Sequence, residues 1–213
     1  MTENKYLKIL EKQDNKKNYF IFGLGNPEEQ YKNTRHNIGF DFLNLLKEHL
    51  EKKNSLSFVL KKSPKLKSKI YKSSISGSEQ VLLIFPETYM NNSGESVVAV
   101  LNWYKTIPSN NQVLIVYDEI SLELGSIRWS SNRGAGGHHG IESIIRSLNS
   151  KDFLRLRIGV GPDPGGLKRA SYVLSRFKKN EEEKLKLALT LALESTCKFL
   201  RNEDLSKIMN TYN

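Results

Sequence analysis

The sequence predicts an α/β fold: a single domain with a central mixed, largely parallel β-sheet flanked by helices. Two patterns carry that expectation. The short continuous apolar runs YFIFG, VLLIFP and VLIVYD read as strands covered on both faces. Between them lie longer stretches with apolar residues at helical spacing, so strands and helices alternate along the chain. A length of 213 residues suffices for one sizeable core, and neither an internal repeat nor a linker composition divides it.

Residues 1–18 read as a polar, charged extension with a short helix over Tyr6 to Leu10, and the domain proper is expected over 19–213. YFIFG is stopped by Gly23 and Gly25. GFDFLNLLKEHL then reads as an amphipathic helix, with Phe40, Leu43, Leu46 and Leu50 on one stripe and Lys47 and Glu48 toward water. The 61–69 stretch, KKSPKLKSK, carries five lysines and reads as a flexible basic loop leading into a strand, KIYKSSI. VLLIFP is ended by Pro86, and Ser93 or Asn92 is placed to cap the next helix, through ESVVAVLNWY. VLIVYD delivers Asp118 at its exit. GIESIIRSL reads as a helix, FLRLRIGVG as a strand, and EEEKLKLALTLALESTCKFL as a long helix with acids in its first turn, as the helix dipole favours.

The 33 Lys+Arg against 23 Asp+Glu leave a formal charge of +10, which favours polyanionic partners, although a general proteome bias gives the same excess. Cys197 is the only cysteine, so an internal disulfide is excluded and a buried thiol in a reducing compartment is the simple reading. No apolar run approaches the ~20 residues needed to cross a bilayer, and the polar N-terminus lacks a signal peptide's apolar region. A cytoplasmic protein with no membrane partner is therefore expected.

Candidate chemistry concentrates near the glycine-rich segments. Gly23 and Gly25 permit a tight turn, but Glu28 stands where a dinucleotide fingerprint needs its third glycine. That turn either presents Asn26 from a strand end or is purely structural. His36 lies between Arg35 and Asn37, poor core material, and is either a base or a helix-start histidine with a local hydrogen bond. Asp118 can reach the same sheet edge, where a carboxylate would fix the imidazole tautomer and leave the other ring nitrogen free to take a proton. Asn91 and Asn92 can cap a helix, orient water or stabilise an oxyanion; Met90 reads as a wall. His138 and His139 beside Asp118 suggest a metal, yet no zinc-ligand spacing supports one. Arg128, Arg133, Arg155 and Arg157, with Lys168 and Arg169, supply donors suited to phosphate.

Five blocks, GLGNPEEQYKNTRHNIG, PETYMNNSG, VYDEISLELGSIR, GAGGHHGIESII and FLRLRIGVGPDP, occur in the order seen in bacterial peptidyl-tRNA hydrolases, over about residues 19–200. The chain resembles that family. The resemblance implies hydrolysis of the ester between a peptide's C-terminal carboxyl and the 3′ ribose of tRNA, by a monomer needing neither metal nor cofactor, with peptidyl-tRNA as partner. His36 falls at the family's catalytic histidine, Asp118 at its supporting aspartate, and Asn91 at a water-orienting amide. Asn26, Tyr31, Met90, Asn91 and His139 fall on the peptide side of the cleft. Arg128 and Arg157 match tRNA-phosphate positions, and Arg133 is a further candidate. Two departures stand out: His139 replaces the asparagine of GGHNG, and Ser130 stands where a basic residue is common. Arg133 or the 61–69 lysines are candidates to restore that charge.

Overall fold

The computed structural model describes residues 17–77, 79–108 and 111–213; the short helix expected over Tyr6 to Leu10 lies outside them. Seven strands form one sheet: β1 (Asn18–Gly23), β2 (Val59–Ser63), β3 (Ser68–Ser76), β4 (Glu79–Pro86), β5 (Val113–Glu119), β6 (Ile127–Ser130) and β7 (Leu154–Gly159). Their order across the sheet is β2-β3-β4-β1-β5-β7-β6. The four central strands β4, β1, β5 and β7 run parallel, whereas β2, β3 and β6 join antiparallel at the edges. The sheet is mixed as expected, but it is parallel only at its centre.

The continuous apolar runs are strands buried on both faces. Tyr19 and Ile21 of β1 pack into one hydrophobic cluster, Phe20 and Phe22 into the other. The first cluster is completed by helices α1 (Ile38–Asn54), α5 (Glu182–Leu200) and α6 (Leu205–Tyr212). The second is completed by α2 (Ser93–Trp103) and α3 (His139–Leu148). A short helix, α4 (Lys168–Val173), lies outside both and buries none of its residues. Among the described residues no helix is long and apolar enough to cross a membrane. Cys197 is half-buried, and burial pushes its thiol pKa up.

Two local expectations are corrected. The 61–69 stretch is not a loop: Lys61 and Lys62 lie in edge strand β2, a 3-10 turn covers Pro64–Leu66, and Lys69 lies in β3. An edge strand needs no apolar face, and lysines there discourage pairing with another chain. Strand β6 is formed by IRWS, a segment to which the sequence pattern assigns no element. Neither Asn92 nor Ser93 caps α2 through its side chain; Ser93 Oγ instead donates to Met90 O at 2.8 Å. The reason is the preceding 3-10 turn, Met90–Asn92, which runs directly into the helix and already engages the Asn92 N–H with Tyr89 O.

Candidate active site

Strands β1 and β5 are parallel neighbours, with Gly23 opposite Val116, so their C-terminal ends leave the sheet on the same side. The segment leaving β1 therefore meets Asp118, near the end of β5. The meeting is made close by two glycines. A Cβ on Gly23 would fall 2.3 Å from Gly39 O, and one on Gly39 would fall 2.5 Å from Leu24 N and O and 2.6 Å from Val116 O. Backbone thus packs on backbone where α1 starts, and the turn before it, Arg35–Asn37, is pressed onto the strand ends. Gly39→Ala is expected to destabilise the protein by about 1–3 kcal/mol or more through overpacking, and to lower activity in the fraction that folds. Unchanged thermal melting would show that α1 can withdraw from the sheet freely.

Amide side chains lock the surrounding segments together. Asn37 Oδ1 accepts from the Asn26 N–H at 2.9 Å, and Asn37 Nδ2 donates to Asn26 O at 2.9 Å. Asn26 Oδ1 in turn accepts from the Met90 N–H at 2.8 Å. The turn after β1, the turn carrying His36 and the turn before α2 therefore form one hydrogen-bonded frame.

Within that frame His36 Nδ1 lies 2.8 and 3.0 Å from the two carboxylate oxygens of Asp118. Both residues are buried. A second imidazole reaches the same carboxylate: His138 Nε2 is 2.9 Å from Asp118 Oδ1. His138 Nδ1 accepts from the Ile141 N–H at 3.2 Å, which leaves its proton on Nε2, donating to Asp118. With His36 Nδ1–H likewise donating, its Nε2 is left as the proton acceptor. The two rings pack at 4.9 Å between centroids.

The electrostatics are set by this geometry. Burial would lower the His36 pKa, but the charge of Asp118 and its hydrogen bond outweigh that effect and leave it raised above 6.5. Burial would raise the Asp118 pKa; the two imidazoles outweigh it and hold the carboxyl well below the usual carboxylate range. His36 Nδ1, Asp118 and His138 Nε2 are also the donor set, among the described residues, that could hold a cation. Their facing atoms are already joined by N–H···O bonds, so an ion would have to replace those protons.

The cleft above the pair has a volume of about 700 Å³. Asn26, Tyr31, His36, Met90, Asn91, Asp118 and His139 all line it, so the structure brings together every residue expected for catalysis or the peptide. His139 is largely exposed, its Nδ1 3.2 Å from Glu142 Oε2. The opposite wall is supplied by α4 and its flanks, including Leu167, Ala170 and Val173.

The basic residues divide. Arg128 and Arg133 are exposed. Arg157 is not an open surface cation: it is buried, donating through Nε at 3.1 Å and Nη2 at 2.8 Å to Glu119 Oε2. Arg155 is fully buried and donates to Gly134 O at 2.8 Å and to Arg133 O, so it braces the glycine-rich loop. Arg128 pairs directly across from Arg157, and Ser130 from Arg155. Arg133, Arg155 and Arg157 line a smaller cavity of about 160 Å³, which shares Glu119 and Gly136 with the main cleft. The 61–69 lysines cannot restore charge near Ser130: β2 and β6 are opposite edges of the sheet. At ~4.8 Å per strand, five or six spacings put them on the order of 25–30 Å apart.

Sequence reasoning weighed His138 only as a metal ligand and missed its bond to Asp118. It also missed the framing role of Asn37 and the charge pairing of Glu119. The adjacency of Asn37 to His36, and of Glu119 to Asp118, was the available signal.

Comparison with known proteins shows the family. The Peptidyl-tRNA hydrolase family model matches residues 20–213. The peptidyl-tRNA hydrolase of Agathobacter rectalis is 40% identical over 195 residues, covering 92% of this chain and 100% of the relative. That of Clostridium botulinum is 37% identical over 196 residues, covering 92% and 96%. The crystal structure of peptidyl-tRNA hydrolase from Acinetobacter baumannii superposes with a TM-score of 0.81 at 33% identity, covering 92% of this chain and 94% of that one. This chain belongs to the peptidyl-tRNA hydrolase family and cleaves the ester bond of peptidyl-tRNA, releasing peptide and tRNA.

Proposed function

We propose that His36 is the general base of this hydrolysis and that Asp118 orients it. Water in the cleft gives a proton to His36 Nε2 as its oxygen attacks the ester carbonyl. Asp118 holds the opposite ring nitrogen and stabilises the imidazolium that forms. Asn91 aims the water or donates to the developing oxyanion. When the tetrahedral adduct collapses, the C–O bond to ribose breaks, and the imidazolium proton passes to the departing ribose oxygen. No covalent acyl-enzyme forms and no metal is needed. His138 acts as a positioning residue, holding the Asp118 carboxylate from its other side.

Asn26, Tyr31, Met90 and His139 hold the peptide, and Arg128, Arg133 and Arg157 hold tRNA phosphates. The small cavity between Arg133 and Arg157 supports that second role, because it opens beside the cleft and gathers more cationic than anionic side chains. The observation that carries the reading is the buried His36–Asp118 pair, 2.8 Å apart, at the floor of the cleft. Comparing N-acylated with free aminoacyl-tRNA, for wild type and for His36→Gln, tests it: His36→Gln should lose turnover. Turnover confined to the N-acylated substrate is expected; equal turnover of both, or full turnover of RNA-free esters, would displace it.

The pairing with Glu119 decides which arginine tests RNA contact. Arg157→Gln removes a phosphate donor and also leaves the buried carboxylate of Glu119, next to Asp118, without its cation and held by Ser121 alone, so it is expected to impair both binding and chemistry. Arg128→Gln removes exposed charge alone. It is expected to weaken tRNA binding and to reduce the slope of log affinity against log salt by about 1, with hydrolysis of a minimal N-acyl-aminoacyl ester retained. An unchanged salt slope would remove Arg128 from the interface.

A further inference from the structure

Arg35, immediately before His36, has a buried guanidinium: the residue is only 2% exposed. Its Nη2 donates to both oxygens of Glu181, at 2.9 and 2.8 Å. The plane of the group lies against two aromatic rings, 4.4 Å from the Tyr172 centroid and 4.6 Å from that of Phe177. Its backbone joins the same segment, since Arg35 N–H donates to Ser175 O at 3.0 Å and Thr34 bridges to Arg176. Glu181 Oε2 also accepts from the Lys178 N–H at 2.6 Å, closing the turn before α5.

The segment held in this way is the far end of the cleft's roof. Helix α4 and its flanks supply Leu167, Ala170, Val173 and Leu174 to the cleft wall. Yet α4 buries no residue of its own, and Leu167 is fully exposed. No residue of α4 joins either hydrophobic cluster, so the placement of this wall depends on what grips its ends. One end is gripped by Tyr172, whose hydroxyl donates to Val160 O at 2.8 Å and whose ring rests on Arg35.

We propose that Arg35 is a positioning residue that couples the roof of the cleft to the turn carrying His36, through its pair with Glu181 and its contact with Tyr172 and Phe177. A buried ion pair is weak support for stability alone, because its desolvation penalty is large and well-packed apolar residues often serve as well. What arginine adds is orientation. A planar guanidinium engages a carboxylate along one edge while its face packs on aromatic rings, and neither lysine nor an apolar residue does both. Because the same group touches both the base-bearing turn and the roof, its loss displaces the base and loosens the substrate wall together.

This inference rests on His36 being the base, so the experiment carries a control for that reading. Steady-state kinetics with an N-acetylated aminoacyl-tRNA would be measured for Arg35→Lys, Glu181→Gln and the double variant Arg35→Met/Glu181→Gln, with His36→Gln alongside. Circular dichroism and thermal melting would fix a temperature at which each is folded. The double variant avoids leaving the partly buried Glu181 carboxylate without its arginine, and Arg35→Lys keeps the charge if the others fail to fold. Expected is a fall in kcat/KM of roughly 10–100-fold, with kcat lowered and KM raised in the same variant, as misplacement of reacting groups and loosening of a wall predict. Arg35→Lys should not rescue it. Wild-type kcat and KM in folded Arg35 variants, or a change in only one of the two constants, would overturn the coupling even where His36→Gln is inactive. Turnover retained by His36→Gln would instead remove the base assignment itself.

Discussion

His36→Gln is expected to lower turnover of N-acylated aminoacyl-tRNA by ~10²–10⁴-fold, the usual contribution of a general base, while tRNA binding at low and moderate salt stays unchanged. Glutamine keeps a polar side chain of similar reach and removes the titrating nitrogen. The residue is buried, and its Nδ1 is already committed to Asp118, so the face lost to chemistry is the one toward the cleft. The RNA contacts proposed above lie at Arg128, Arg133 and Arg157, on other elements, which is why binding should survive. Equal losses in turnover and binding would show that the imidazole holds substrate and does not activate water.

Asp118→Asn tests the same pair through its pH dependence. In the wild type the His36 pKa lies above 6.5 because the Asp118 charge and hydrogen bond outweigh burial. A base must be unprotonated to work, so kcat/KM should rise with pH through that raised value. The amide removes both effects that raise the pKa and leaves the burial that lowers it. The acid limb is therefore expected to move to lower pH. At the plateau the rate should fall on the order of 10²–10⁴-fold, because the amide can present its NH₂ to His36 Nδ1 and favour the wrong tautomer. A limb that stays in place would mean that another group sets the protonation of the base.

The elements legible in the sequence are those whose burial leaves a mark on composition. β1, β4 and β5 are buried on both faces and read as unbroken apolar runs; α5 is long enough for its stripe to repeat. β2 has four of its five residues exposed, so its lysines give no strand signal. β6 is four residues long, with Arg128 exposed between buried Ile127 and Trp129, too short for alternation to stand out. α4 buries nothing, and α6 buries only Ile208. At the site, His36 and Asp118 could be paired from the sequence because neighbouring parallel strands end on one edge. The placement of Arg157 could not. A guanidinium suited to phosphate and one suited to a neighbouring carboxylate look alike until Glu119 is seen beside it.

The 82 positions separating His36 from Asp118 have a consequence for how this enzyme comes into being. Nothing local holds the two side chains together, and closing so long a segment is entropically unfavourable until the central strands register against one another. With His36 and Asp118 in the roles proposed for them, catalytic competence is a property of the completed tertiary structure, absent from any shorter intermediate that lacks β5. During denaturation, hydrolytic power and the cooperative melting of the β-sheet should disappear at one midpoint.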